Sequence, residues 1–167
     1  MPGIIFLPSK KLSLFAFFMS ENFYGVAACR WYVFCKDIFP MEREKKVLIL
    51  EPDTKMAEKL YQIFRNEGFT VNLTGRASEA IRSIQQEHVS VMILDVGVSD
   101  MAWDEVFPII KGLSPSLPII MTSALNTPEL EASILHQKAF YYHVKSFGTE
   151  DLILAVQNAV EKKSSKV

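Results

Sequence analysis

Five short apolar runs, each followed by a stretch with helical spacing, constrain this chain more than any other feature. The runs are "KVLILE" (46–51), "FTVNL" (69–73), "VSVMIL" (89–94), "LPIIMT" (117–122) and "FYYHV" (140–144). Met56, Leu60, Ile63 and Phe64 follow the first at helical intervals, and Gly68 stops that helix. Ala77, Ala80, Ile81 and Ile84 mark a second helix, and Val106, Ile109, Ile110 and Leu113 a third. Pro108 predicts that the third begins late or forms poorly, because proline is tolerated only in a first turn. Thr127 and Pro128 open a fourth helix as cap and first residue. Thr149 caps a fifth, with Leu152, Val156, Ala159 and Val160 facing inward. Five strand–helix units with short connections predict a parallel α/β sheet covered by helices on both faces.

This pattern starts near Met41. Residues 1–40 are different: they hold both cysteines and more than half of the aromatic residues. "KKLSLFAFFM" has the basic lead and apolar run of an export signal, and "VAAC" ending at Cys29 resembles a lipoprotein cleavage box. Glu21 and Asn22 interrupt the run, and Leu12–Met19 falls short of the ~20 residues that span a bilayer. We read 1–40 as an extension without its own fold, translated from a misassigned start, with a membrane-associated segment and an export signal as alternatives. Residues 41–163 are read as one domain and 164–167 as a tail. The net charge of −1 gives no basis for nucleic-acid binding. The two cysteines have no zinc-type spacing and need not be bridged.

In such sheets chemistry sits at the carboxyl ends of the strands. Here those ends read Glu51-Pro52-Asp53, Asp95, Thr122-Ser123-Ala124 and Lys145. An acid cluster, a hydroxyl and an ammonium at one edge suit phosphoryl transfer to a carboxylate. Aspartate can serve as the nucleophile. Mg²⁺ takes one or two carboxylates and phosphate oxygens, and lysine holds phosphate as a point charge. Taken singly, each group has a plainer explanation. Asp95 could be a strand-end acid satisfied by backbone N–H groups, Glu51 and Asp53 could favour the start of a helix, and Tyr142 could be simple packing.

Taken in order, "VLILEPD", "VMILDVGVSDMAWDEV", "PIIMTSA" and "YYHVKSF" resemble the receiver domain of bacterial two-component response regulators, over residues 46–160. The resemblance implies a flavodoxin-like (βα)₅ doubly wound sheet of strand order 2-1-3-4-5. It implies that Asp95 accepts a phosphoryl group from a histidine kinase or phosphotransfer protein. It makes Lys145 the phosphate-pairing lysine, Ser123 the switch hydroxyl and Tyr142 the aromatic that follows the switch. Mg²⁺ would be held by Glu51, Asp95 and the Gly97 backbone carbonyl, with Asp53 as an additional candidate. The implied protein is a cytoplasmic single-domain regulator acting on a downstream protein, a phosphoacceptor and not a conventional enzyme.

Three positions depart from the family pattern. Pro52 stands where a second acid is usual, leaving the metal site one acid short. Ala102-Trp103 replaces Asp-Gly, so the loop after Asp95 is expected to differ in shape. Ser146 follows Lys145 where proline is common, so Lys145 is expected to be held less rigidly. These favour an alternative, a pseudo-receiver that binds a partner without being phosphorylated. A flavin enzyme on the same sheet is disfavoured, because "EPDTKMAEKL" has no glycine to cradle a phosphate and presents acids instead.

Overall fold

The computed structural model describes residues 44–164; the readings of 1–40 and of the last three residues lie outside the described residues. The strands are β1 (Lys46–Leu50), β2 (Thr70–Thr74), β3 (Val91–Asp95), β4 (Ile119–Ser123) and β5 (Tyr141–Val144). They alternate with α1 (Thr54–Asn66), α2 (Ala77–Gln86), α3 (Trp103–Leu113), α4 (Pro128–His136) and α5 (Glu150–Ser164). All four strand pairings are parallel, in the order β2-β1-β3-β4-β5. This is the expected flavodoxin-like doubly wound sheet. Among the described residues no helix is long and apolar enough to cross a membrane.

Two cores separate the layers. On one side Val47, Ile49, Val91, Ile93 and Ile120 pack against Leu60 and Phe64 of α1 and against Leu152 and Val156 of α5. On the other side Leu48, Leu50, Met92, Leu94 and Met121 meet Ala77 of α2, Val106, Phe107 and Ile110 of α3, and Ile134 of α4. Alternation along each strand feeds both cores, so β1, β3 and β4 have no polar face. Each fully buried Leu, Ile or Phe contributes about 1.5–3 kcal/mol.

Three local readings need correction. α3 starts at Trp103 and is regular, with Pro108 inside it. Pro108 is exposed, so the carbonyl left without its helical donor faces water. In the same helix Phe107 is a core residue, whereas Ile109 and Leu113 are exposed. On β2, Leu73 is exposed too, because β2 is an edge strand.

Candidate phosphoryl site

The alternation that builds the cores also builds the site. Leu50 pairs with Leu94, Asp95 with Thr122, and Thr122 with His143. Continuing each strand, Glu51, Asp95 and Thr122 follow Ile49, Ile93 and Ile120 onto the α1/α5 side. Lys145 opens a single 3-10 turn directly after β5. Its Nζ lies 2.6 Å from Asp95 Oδ2 and 2.7 Å from Glu51 Oε2. The Thr122 hydroxyl donates to Asp95 Oδ2 at 3.2 Å, and the Gly97 N–H donates to Asp95 Oδ1 at 2.8 Å. Asp95 and Glu51 are only 4% and 3% exposed.

The charges bear on each other. Burial pushes the Glu51 carboxyl above the ordinary range; the Asp95 charge adds to this, and Lys145 opposes it. Burial pulls Lys145 down, but Asp95 and Glu51 together outweigh it and hold the ammonium above its usual value. Glu51 Oε2 is buried and receives no hydrogen bond, although Lys145 Nζ is 2.7 Å away. We read the contact as an ion pair, in which charge attraction at this distance dominates. The other oxygen, Oε1, accepts from the Asp53 N–H at 3.1 Å.

A folded-state carboxyl pKa above the unfolded value means that the fold binds that proton more tightly. The Glu51 contribution to stability therefore falls as pH rises from the ordinary glutamate range through the raised value. Glu51→Gln should remove that fall. Subtracting its urea midpoints from the parent's across pH 4–7 should show the parent losing stability relative to the variant as pH rises. A flat difference would refute the buried-charge reading.

Ser123 ends β4, as expected, with its side chain turned away from Asp95; the switch role implied for it would begin only once phosphate is bound. Its hydroxyl is fully buried and accepts from the Leu125 N–H at 3.0 Å. It pairs with Val144 and follows Ile119 and Met121 onto the opposite side of the sheet. One residue along a strand is one face, so the hydroxyl that reaches Asp95 belongs to Thr122, which the sequence reading passed over. Tyr142 packs on the α2/α3/α4 side, and its hydroxyl donates to the Leu125 carbonyl at 2.9 Å. Asp53 caps α1, its Oδ1 accepting from the Met56 N–H at 2.8 Å, as its position after Pro52 suggested. Trp103 needs no glycine freedom: Ala102 before it is extended and Trp103 begins α3. The Lys145–Ser146 bond is trans.

A sequence profile of the Response regulator receiver domain family matches residues 47–157. The chain belongs to that family. This receiver is 31% identical over 121 residues to the DNA-binding transcriptional regulator NtrC of a Bradyrhizobium strain, covering 72% of this chain and 25% of that protein. It thus spans about a quarter of the length of that regulator. Among solved structures, a CheY-like receiver domain protein from Methanospirillum hungatei shares the fold, with TM-score 0.69 and 24% identity, over 74% of this chain and 98% of that one. A response regulator from Burkholderia pseudomallei, solved with a phosphorylated aspartic acid, a calcium ion and citrate, has TM-score 0.63 at 18% identity, over 74% of this chain and 73% of that one.

Receivers of this family are signalling domains and generally bind Mg²⁺ at the phosphorylation site. The donor set here fits a hard cation. Glu51 Oε2 is a buried carboxylate oxygen lacking a hydrogen-bond donor, and Asp95 faces the same ammonium. No cage of three or more His, Cys, Asp or Glu side chains exists among the described residues. Mg²⁺ does not need one, since water and phosphate complete its octahedron. Two surface cavities, about 450 Å³ beside Trp103 and His136 and about 210 Å³ beside Tyr141–Val144, are not lined by Glu51, Asp95 or Lys145.

Proposed function

We propose that this receiver accepts a phosphoryl group on Asp95 from a histidine kinase or phosphotransfer protein, in the cytoplasm. The observation that carries this reading is the single ammonium lying 2.6 and 2.7 Å from carboxylates delivered by two different strands. A carboxylate oxygen of Asp95 attacks phosphorus and the P–N bond to the donor imidazole breaks. The electron pair stays on the imidazole nitrogen, which takes a proton from solvent, and an acyl phosphate remains on Asp95. Lys145 shifts from the Asp95 carboxylate to a phosphate oxygen, exchanging one anionic partner for another. The Thr122 hydroxyl, already directed at Asp95, donates to a second phosphate oxygen. Glu51, Asp95 and the Gly97 carbonyl would hold Mg²⁺, which offsets the negative charge of the incoming phosphoryl oxygens. Fixed charges and donors supply most of the rate in such transfers.

The phosphorylated aspartate of the Burkholderia regulator supports this chemistry on the same fold. The switch then biases the face formed by α4, β5 and α5, through which a downstream protein reads it. Leu125 links Ser123 to Tyr142 on that side, since Ser123 holds its N–H and Tyr142 its carbonyl. Thr122→Val should slow labelling by acetyl phosphate by about tenfold to a hundredfold, while Ser123→Ala leaves the initial rate within about twofold. Equal effects of the two substitutions would show that Thr122 has no special place.

The pseudo-receiver reading draws on one further observation. Pro52 replaces an acid and Asp53 is committed to its helix cap, so Lys145 alone balances two carboxylates. Titration with Mg²⁺ followed by Trp103 fluorescence separates the readings. A response in the millimolar range that is lost in Asp95→Ala supports phosphoryl transfer. No response at any concentration supports the binding module.

A further inference from the structure

The loop from β3 to α3 starts at Asp95 and includes an acid that the phosphoryl site does not use. Asp100 reaches from this loop to α2. Its Oδ1 accepts from the Ala77 N–H at 2.8 Å, and its Oδ2 accepts from the Ser78 N–H at 3.2 Å and the Ser78 hydroxyl at 3.1 Å. Arg76 Nε stands 3.9 Å from the same Oδ2. The first N–H groups of a helix need acceptors and favour negative charge. α1 and α4 obtain theirs locally, from Asp53 and Thr127. α2 does not: its own cap residue is Arg76, whose side chain makes no capping bond. The cap arrives instead from the loop that carries Asp95. The Ala77 N–H, with lesser help from Ser78, holds the Asp100 carboxyl below the ordinary range, so the contact is anionic at neutral pH.

The loop is also held by apolar packing: Val96 and Met101 lie against the core. Val96 N–H donates to the Thr122 carbonyl at 2.9 Å, and Val98 is buried in the core. Gly97, Ser99 and Asp100 are exposed. Gly97 in turn holds Asp95 through the N–H bond to Oδ1.

We propose that Asp100 is a positioning residue for the phosphoryl site: by clipping the β3–α3 loop to α2, it fixes the Gly97 backbone and, through it, the Asp95 carboxylate. This rests on the reading of Asp95 as phosphoacceptor. The rival is that Asp100 merely caps α2, and the two separate cleanly. Asp100→Ala removes clip and cap together. Adding Arg76→Ser to that variant returns a capping hydroxyl to the helix from its own position but leaves the loop unclipped.

Amide hydrogen exchange and the initial rate of labelling by acetyl phosphate are measured on all the variants. In Asp100→Ala, exchange at Gly97 and Ser78 should rise by about tenfold or more, and labelling should slow by about tenfold to a hundredfold. In Asp100→Ala with Arg76→Ser, the new hydroxyl reaches the second or third amide of the helix, so Ser78 should regain protection while Gly97 and the labelling rate stay at the Asp100→Ala level. Asp100→Asn, which keeps one acceptor oxygen, should fall between parent and alanine at Gly97. Unchanged Gly97 exchange in Asp100→Ala, or recovery of Gly97 and rate together with Ser78 in the double variant, overturns the proposal. If the parent itself takes no label, the phosphoacceptor reading has failed, and Gly97 exchange alone decides the clip.

Discussion

Asp95→Asn is expected to carry no label above background after incubation with acetyl phosphate or a cognate kinase. The amide keeps the shape of the side chain, yet its oxygen is a neutral and poor nucleophile, so bond formation to phosphorus fails. The fold should survive the substitution. The parent site buries two carboxylates around one ammonium. The substitution leaves Glu51 paired one-to-one with Lys145, and the unfolding midpoint should stay level or rise. Label on Asp95→Asn comparable with the parent's would remove Asp95 from the mechanism. Lost label together with a fallen midpoint would mean that the side chain is structural.

Lys145→Ala should have the largest effect on stability. It leaves Glu51 and Asp95 facing each other with no cation, and removing one partner of a buried charge group costs about 3–5 kcal/mol. The urea midpoint should fall by roughly 2 M. The pH dependence identifies the cause. In the parent the folded lysine value is raised, so its contribution is complete below the ordinary lysine range and is lost only as pH rises through the raised value. In the variant Glu51 has lost the charge that opposed its upward displacement, so the fold takes up a proton there more readily still. The deficit should therefore shrink as pH falls toward the glutamate range and grow again toward pH 8. A deficit independent of pH would indicate lost packing of the lysine stem. Labelling should be abolished as well, since no other ammonium reaches Asp95 among the described residues.

Much of this was legible in the chain. Short apolar runs mark all five strands, helical spacing marks four of the helices, and the Thr127–Pro128 start marks the other. The strand-end rule brought Glu51, Asp95 and Lys145 to one edge before any coordinates. Which of Thr122 and Ser123 faces Asp95 was not legible. "LPIIMT" is apolar throughout, since β4 is covered on both sides, and a strand with no polar face carries no sign of which residues point where. Only its register with β3 decides. Pro108 misled for a related reason: proline penalises a helix by what its missing N–H leaves unpaired, and solvent on that side of α3 takes up the loss. Asp100 left no local trace, because its partners lie 22 and 23 positions earlier in the chain.

Neighbouring hydroxyls on β4 thus look into separate compartments divided by the thickness of one polypeptide ribbon. The Thr122 hydroxyl donates to Asp95 and the Ser123 hydroxyl accepts from Leu125 in the loop that leads to α4, with a single peptide unit between them. A shift of the β4 backbone at that one amide would therefore be felt in both compartments at once.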